Sequence, residues 1–293
     1  MKAVGRSPPK KMGVTMSKHT YLILILLPVA ACAVGFTAQA VTPADSVQSS
    51  GSVRADMDPY TVDRLNNVLN QVSKHRGLSA GHLIDVISAE FLDTPYRSNM
   101  LQGSATTPEK LIIDFTGLDC FTYLDYVEAA RRAYSQQDFV SRLILTRYVD
   151  GIVGFTYRKH FFSDWANRPY ELANDMTATI SPDAVSVVKT LNLKADGGNY
   201  LPGLPVVQRT ITYIPTEHID RNLVRQLRTG DYIGIYTHEA GLDVTHVGFF
   251  IRTNRGPMLR NASSRAENQK VVDSPFMEYI ARTPGIIIYR AKQ

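Results

Sequence analysis

Apolar residues recur at helical spacing in the part of the chain that begins near residue 60. Residues 61–75 and 79–91 both place valine, leucine or isoleucine three and four positions apart. This spacing lines one face of an α-helix, so the pattern predicts two amphipathic helices. A short apolar run at 111–115 predicts a strand, and residues 116–118 then turn the chain toward a third helix.

The third helix is predicted to begin at Cys120. Its apolar stripe consists of Cys120, Tyr123, Leu124, Val127, Ala130 and Tyr134. Asp119 is a good N-cap, which puts Cys120 at the first helical position, where backbone N–H groups favour a thiolate and can bind an oxyanion. The charge of Asp119 opposes ionisation of the thiol, so a reactive Cys120 requires a basic partner. The alternative is a buried cysteine that only fills the start of a helix.

From residue 231 onward the helical spacing gives way to alternation. Residues 231–237, 244–252, 258–263 and 285–290 have the alternating pattern of strands, and residues 253–257 form a turn between the second and the third. Strands joined by such short connections pair with their sequence neighbours. The pattern therefore predicts an antiparallel meander.

His246 lies inside the second of these strands, where a rigid sheet could hold an imidazole in one orientation. The next strand offers Asn261 and Ser263 as orienting acceptors. In an antiparallel pair, the residue numbers of directly opposed residues add up to a constant. If that sum is odd, Asn261 and Ser263 share a face with His246, and if it is even, they lie on the other face. The sequence leaves both registers open, and an ordinary polar face of the sheet is the alternative to a catalytic pair.

The first forty residues have the composition of an export signal. They contain five Lys or Arg and no Asp or Glu, followed by an apolar run at 21–36 that is short for a membrane span. Two cleavage sites compete: residues 38–40 fit an ordinary signal peptidase, and residues 29–32 resemble a lipobox with Cys32 as the lipidated residue. We favour the first because the apolar run continues past Cys32. A retained anchor helix is the third alternative.

The rest of the chain divides into a linker and one domain. Residues 41–59 are rich in Ser, Thr, Asp and Gly and have no apolar period, which predicts a linker. It joins the signal peptide, residues 1–40, to a single domain at 60–293 whose first helices are an addition to its core. We expect an exported, periplasmic or cell-envelope protein, a monomer that meets the membrane only through its signal sequence or a lipid anchor.

Net charge and cysteine content exclude several classes of function. The charge of +5 equals the five basic residues of the leader, so the mature part is neutral overall and nucleic-acid binding has no support. Cys120 is the only cysteine outside the leader, and in an oxidising compartment a lone thiol is either buried or reactive. The sequence has no CxxC or HExxH motif, so we expect no metal site and no cofactor.

Several separated motifs, in this order, resemble a known family. They are Gly117-Leu118-Asp119-Cys120 with Thr122 and Glu128, residues 147–151, residues 157–165, Gly230-Asp231, residues 241–248 and residues 261–264. From about residue 85 to the C-terminus the chain resembles the DUF1460 family, which is N-acetylmuramoyl-L-alanine amidase-like and belongs with the NlpC/P60 cysteine peptidases. The resemblance implies a papain-like α+β fold, with the cysteine at the start of a helix packed on a central antiparallel sheet that carries the histidine.

The resemblance also implies a mechanism. Cys120 is then the nucleophile, His246 the base and Asn261 the orienting residue. The family often has histidine where Asn261 stands, but an asparagine can still accept a hydrogen bond from the imidazole. The substrate implied is peptidoglycan or its muropeptides, cut between the lactyl group of N-acetylmuramic acid and L-Ala. The alternative is a γ-D-glutamyl-diamino acid endopeptidase, which cuts between D-Glu and the third stem residue.

Residues 157–165 are the segment that we expect to form a substrate wall. Arg158 could pair with a stem-peptide carboxylate and Trp165 could stack on a sugar. The alternative is an Arg158–Asp164 ion pair and a Trp165 buried in the core. Asp243 either binds the free amine of the stem or shapes a turn. The remaining predicted substrate contacts are Tyr123, His160 and Ser263.

Two further functions fit the same residues. A catalytically silent peptidoglycan-binding module would not depend on Cys120. An acyltransferase or transglutaminase-like enzyme would use the same thiol but pass the acyl group to an amine instead of water.

Overall fold

Helices occupy the first part of the folded chain and strands the second. The computed structural model describes residue 55 and residues 57–168 and 171–293. The helices are α1 Pro59–Lys74, α2 Ala80–Ala89, α3 Cys120–Arg131, α4 Gln136–Arg147, α5 Phe162–Asn167, α6 Thr177–Ile180, α7 Arg221–Val224 and α8 Phe276–Ile280. The strands are β1 Ala173–Asp175, β2 Val185–Leu191, β3 Val207–Pro215, β4 Asp231–Tyr236, β5 Val244–Thr253, β6 Gly256–Ser263, β7 Lys270–Pro275 and β8 Gly285–Ala291. The two predicted amphipathic helices are confirmed as α1 and α2.

The strands form one large antiparallel sheet in the order β2-β3-β8-β4-β5-β6-β7, with β1 paired to β8. The predicted strands are confirmed as β4, β5, β6 and β8. The meander is confirmed from β4 to β6 only, because β8 lies between β3 and β4. The fold is therefore α+β with a large antiparallel sheet, as predicted, and the sequence pattern missed β1, β2, β3 and β7.

The central strands of the sheet, β4 and β8, are buried on both faces, whereas much of β2 is exposed. Phe249 of β5 packs against Tyr123 of α3, with ring centroids 5.1 Å apart. Its neighbour Phe250 points the other way and packs against Phe276 of α8, with centroids 5.1 Å apart. Helices α1 to α4 join the first of these apolar clusters and the short helix α8 the second.

The strand predicted at 111–115 is absent. Leu111, Ile113 and Phe115 are buried, as their alternation implies, but no neighbouring strand pairs with them. Side chains supply hydrogen bonds instead: the Thr61 hydroxyl accepts from the N–H of Phe115 at 3.0 Å, and the Tyr126 hydroxyl accepts from the N–H of Asp114 at 3.2 Å. An alternating pattern can therefore mark a buried extended segment outside any sheet.

Two parts of the predicted organisation lie outside this description. The signal peptide at 1–40 and nearly all of the linker at 41–59 are not among the described residues. The described residues form one compact unit. Among the described residues, no helix combines the length and apolar character needed to cross a bilayer.

Gly230, at the entry to β4, is expected to tolerate no side chain. Its φ is +87°, and a Cβ there would lie 2.3 Å from the Cα of Gly81 and 2.5 Å from its carbonyl oxygen. Gly197 has a similar φ of +88° but nothing within 4 Å. We expect Gly230→Ala to lower the free energy of unfolding by about 1–3 kcal/mol more than Gly197→Ala, because only the first adds overpacking to backbone strain. If urea unfolding gave the same loss of stability for both variants, the contact between Gly81 of α2 and Gly230 would be able to adjust to the added methyl group without a free-energy cost.

Candidate active site

Cys120 is held at the first position of α3 by a capping box. The Asp119 side chain accepts from the N–H of Thr122 at 2.7 Å, and the Thr122 hydroxyl accepts from the N–H of Asp119 at 3.0 Å. This reciprocal pair fixes the first turn of the helix. The thiol is half-buried in this position.

Opposing influences act on the Cys120 thiol. Burial, and after it the charge of Asp119, raises the pKa of Cys120 to about 12. The backbone N–H groups of Val247, Cys120 and Phe121 lower it, because they stabilise the thiolate. The resting side chain is therefore a neutral thiol. The same N–H groups lie beside the sulfur, where such donors can also stabilise an oxyanion.

His246 and Asn261 form a hydrogen-bonded pair. Nε2 of His246 lies 3.0 Å from Oδ1 of Asn261. The amide nitrogen of Asn261 donates to the carbonyl of Leu259 at 3.0 Å and to the hydroxyl of Ser274 at 3.3 Å, which fixes the amide orientation. Because Oδ1 can only accept, Nε2 must carry the proton, and Nδ1 remains free to act as a base. The network therefore selects the tautomer needed for general-base catalysis.

The structure shows the odd register between β5 and β6, one of the two that the sequence left open. Phe249 of β5 stands opposite Arg260 of β6, which puts Asn261 and Ser263 on the same face as His246. Pairing between the two strands stops at Phe249 and Arg260, so His246 lies where they separate. The N–H of Val247 accordingly has no partner in β6 and lies beside the Cys120 sulfur.

The environment of His246 keeps the imidazole neutral. Burial is the largest influence and lowers the pKa of His246, and the positive charge of Arg265 lowers it further. The hydrogen bond with Asn261 and the charge of Asp119 act in the opposite direction. No hydrogen bond joins His246 to the Cys120 thiol in the described part of the chain.

Two tyrosines that the sequence reasoning missed lie at this site. Tyr279 of α8 stacks on His246, with ring centroids 6.1 Å apart. Burial is the main influence that raises the pKa of Tyr279; the charge of Arg265 opposes the rise, and the charge of Cys120 adds to it. Burial, and then the charges of Cys120 and Asp119, raise the pKa of Tyr96. Neither tyrosine belongs to a periodic pattern, so no sequence signal marks them.

Tyr123 and Trp165 do not contact the surface, which corrects two predicted substrate contacts. Both are 0% exposed. The Tyr123 hydroxyl donates to the carbonyl of Ser88 at 2.8 Å, and the Trp165 indole N–H donates to Asp125 at 3.0 Å. Large aromatic rings with a satisfied polar atom are typical of a core. For Trp165 the structure matches the buried alternative.

Asp243 and Ser263 are also internal. Asp243 is 1% exposed and accepts from both the N–H and the hydroxyl of Ser163, at 2.8 Å each. Ser263 is 1% exposed, and its hydroxyl accepts from the N–H of Arg265 at 3.3 Å. Asp243 thus connects the start of β5 to α5, and Ser263 shapes the turn after β6. The prediction that they contact a substrate is wrong for this structure.

Arg158 is neutralised by a partner that the sequence reasoning did not consider. Its Nε donates to Glu109 at 2.9 Å and its Nη2 makes a second, shorter contact with the same carboxylate. The alternative partner, Asp164, pairs with Arg209 at 2.6 Å. Glu109 is almost completely buried, so the pair is structural and Arg158 is not a free cation for a substrate carboxylate.

His160 lines a cavity of about 280 Å³ together with Tyr157, Leu191 and Val207. Its Nε2 lies 2.8 Å from the carbonyl of Phe155, and burial lowers its pKa. Neither Cys120 nor His246 lines this cavity. A ligand contact by His160 stays a prediction. Within the described ranges, no cluster of three or more His, Cys, Asp or Glu side chains could hold a metal ion.

Several solved structures resemble the chain over nearly their whole length. An N-acetylmuramoyl-L-alanine amidase from Bacteroides uniformis is 26% identical, with a TM-score of 0.63 over 73% of this chain and 99% of its own. A putative xylanase from Bacteroides fragilis is 27% identical, with a TM-score of 0.58 over 69% of this chain and 98% of its own. A Legionella pneumophila protein of the DUF1460 family is 24% identical, with a TM-score of 0.65 over 79% of this chain and 95% of its own, and shares the fold.

Sequence comparison with family models gives the assignment. Among curated proteins no significant relative is found. A family model matches residues 86–286, well over half of the chain, and this range contains Cys120, His246 and Asn261. The chain belongs to the AmiA-like family of N-acetylmuramoyl-L-alanine amidase-like proteins.

Proposed function

We propose that this protein is a cysteine-dependent peptidoglycan amidase that cuts between the lactyl group of N-acetylmuramic acid and L-Ala. The observation that carries the proposal is the hydrogen bond between His246 and Asn261, which leaves Nδ1 of His246 free to act as a base. The N–H of Val247, the residue after His246, lies beside the Cys120 thiol. We further propose that the fold is the papain-like one of the NlpC/P60 superfamily. A helix that starts at a cysteine and packs on a histidine-bearing antiparallel sheet supports that assignment.

The reaction would proceed through a thioester. As the Cys120 sulfur attacks the amide carbonyl, its proton passes to Nδ1 of His246. The N–H groups of Cys120 and Val247 stabilise the oxyanion. The carbon–nitrogen bond then breaks and the leaving amine takes the proton from His246. Water, deprotonated by His246, attacks the thioester and releases the acid and the thiol.

The family name favours the lactyl–alanine bond, and the endopeptidase cut after D-Glu remains the alternative. Glycoside hydrolysis, which the name of the Bacteroides fragilis structure suggests for that protein, uses two facing carboxyl groups. The carboxylate next to Cys120 is Asp119, which caps α3. The arrangement at Cys120 therefore favours acyl transfer.

Mass analysis of defined muropeptides after incubation with the mature protein tests the proposal. Release of the intact stem peptide from N-acetylmuramic acid identifies the amidase, and a product that ends in D-Glu identifies the endopeptidase. Iodoacetamide should block either reaction, because it alkylates a thiol. An amine captured in the product would identify an acyltransferase. Absence of any thiol-dependent product would leave a binding module as the better description.

We also propose that residues 1–40 direct export and that the mature chain works in the cell envelope. The support is the basic, acid-free leader and its apolar run. Mass spectrometry of the N-terminus of the exported protein tests this. A start at Val41 agrees with soluble release, whereas a diacylglycerol-modified Cys32 would identify a lipoprotein.

The pH dependence of kcat/KM should follow the ionisation of His246. A protonated imidazole cannot accept the thiol proton, so activity is low below the pKa of His246 and rises as the group becomes neutral. Burial lowers this pKa from 6.5, so the rise should be centred below pH 6.5 and activity should be flat through neutral pH. Rates measured from pH 4 to 9 check this. A midpoint above pH 7 would show that His246 is not the limiting base.

A further inference from the structure

A second cavity lies beside the proposed catalytic centre and has no role in the mechanism above. It measures about 330 Å³ and is lined by Arg265, Asn268, Val272, Asp273, Ser274, Pro275, Glu278, Tyr279 and Arg282. Two of these residues contact the catalytic pair directly. Tyr279 stacks on His246, and the hydroxyl of Ser274 accepts from the amide of Asn261. Neither Cys120 nor His246 lines the cavity, so a group bound there would lie next to the residues that support the catalytic pair and not next to the reacting bond itself.

Arg265 is the charged group in the cavity best placed to meet a ligand. Its guanidinium lies over the Tyr279 ring, 4.1 Å from the centroid, and it makes no ion pair within the described part of the chain. Its backbone is fixed as well, since the N–H groups of Asn268 and Gln269 donate to its carbonyl at 2.9 and 3.0 Å. A guanidinium held by stacking and a turn loses little entropy when it binds a carboxylate.

The other charges of the cavity leave it open to an anion. Asp273 is committed to Arg260, which it binds at 2.7 and 3.0 Å. Glu278 adds one negative charge and Arg282 one positive charge, both exposed to water, so these two largely offset each other and Arg265 remains the partly buried cation of the cavity. Arg158, in contrast, is satisfied by Glu109 and cannot take this role.

We propose that Arg265, assisted by Arg282, binds the free α-carboxylate of the D-isoglutamate residue of the stem peptide. The inference rests on the proposed function and names a specificity determinant for it. The Tyr279 ring centroid lies 6.1 Å from that of His246 and 4.1 Å from the Arg265 guanidinium, so the guanidinium is no more than about 10 Å from the imidazole. One dipeptide spans about 7 Å, and D-isoglutamate is the second residue of the stem. Its carboxylate is the fixed negative charge nearest to either candidate bond.

The test compares two muropeptides that differ only in D-isoglutamate or D-isoglutamine. We expect the wild type to prefer the carboxylate by about tenfold or more in kcat/KM, as for loss of one charged hydrogen-bonded pair. Arg265→Gln should reduce that ratio to near one, and Arg282→Gln should reduce it less. Arg255→Gln, in the exposed turn between β5 and β6, should leave the ratio unchanged. A change in the pKa of His246 would alter both rates alike, so the ratio isolates the contact.

A binding measurement separates this inference from the proposed function. In the Cys120→Ala variant, calorimetric titration with the two muropeptides should show tighter binding of the D-isoglutamate form, and Arg265→Gln added to that variant should abolish the difference. If the wild type cleaves nothing but this difference is found, the proposed function fails and the subsite stands. Equal affinities, no measurable binding of either peptide, or a preference that survives Arg265→Gln would overturn the inference.

Discussion

Replacing Cys120 with alanine is expected to lower kcat/KM on a cleavable muropeptide by about 10⁴-fold or more, because the group that forms the thioester is removed. The remaining N–H groups would still polarise a bound carbonyl, so substrate affinity should change far less than kcat. The measurement is the rate of product formation by mass analysis, with binding followed separately. Cys120→Ser should also be nearly inactive, since the neutral hydroxyl is a much weaker nucleophile than sulfur.

Two comparisons make the Cys120→Ala result specific. His246→Ala should be about as damaging as Cys120→Ala, and the double variant little worse than either, because the two groups act as one unit. The thermal unfolding midpoint of Cys120→Ala should fall only slightly, since Cys120 packs against the apolar core while still partly exposed and alanine removes a single sulfur atom. A Cys120→Ala protein that retains a tenth of the wild-type rate would contradict a cysteine mechanism.

The elements that the sequence predicted best are those with a strong local signal. Asp119 caps α3 as its side chain implies, and β4, β5 and β6 follow their alternating pattern. The place of Cys120 at a helix start and of His246 inside a strand depended only on these local rules. The position of Asn261, the hydrogen-bond partner of His246, depended on the strand register, for which the sequence left two possibilities.

Tertiary contacts account for what the sequence could not predict. Tyr96 and Tyr279 reach the site from an irregular segment and a five-residue helix, where no periodicity exists to follow. Two predicted contacts of the substrate wall, Arg158 and Trp165, instead have internal partners, because partners distant in sequence determine whether a side chain is buried. Arg158 is neutralised by Glu109, 49 residues away, and Trp165 donates to Asp125, 40 residues away.

The polar side of α3 shows the same effect on a larger scale. Glu128 is 0% exposed and accepts from Arg131 and from the hydroxyl of Tyr232, and Asp125 is 3% exposed. A helix with one apolar stripe is expected to expose its acids to water. Here the acids are buried against guanidinium groups, so α3 is enclosed on every side. This enclosure holds the body of α3 in place, and the capping box fixes the first turn that carries Cys120.

Arg147→Met is expected to lower the free energy of unfolding by about 3–5 kcal/mol, because it leaves the buried carboxylate of Asp125 without its cation. Arg147 Nε donates to Asp125 at 2.7 Å, and its Nη1 donates to the carbonyl of Ile112 at 2.8 Å. Burial raises the pKa of Asp125, and Arg147 is the main influence that opposes the rise. Methionine retains most of the volume of the arginine stem, so the loss measures charge pairing more than packing. Urea unfolding gives the value.

Arg142→Met in the same helix is the matched control for this prediction. Arg142 pairs with Asp138 at 3.2 Å on the surface, so its loss should change stability by about 0.5 kcal/mol or less. Adding Asp125→Asn to Arg147→Met should recover part of the lost stability, since it removes the unpaired buried charge and keeps an acceptor for the Trp165 indole N–H. If Arg147→Met proved no more damaging than Arg142→Met, the Asp125–Arg147 pair would not be what anchors α3. The fixed geometry of Cys120 would then have to come from the capping box and the apolar stripe alone.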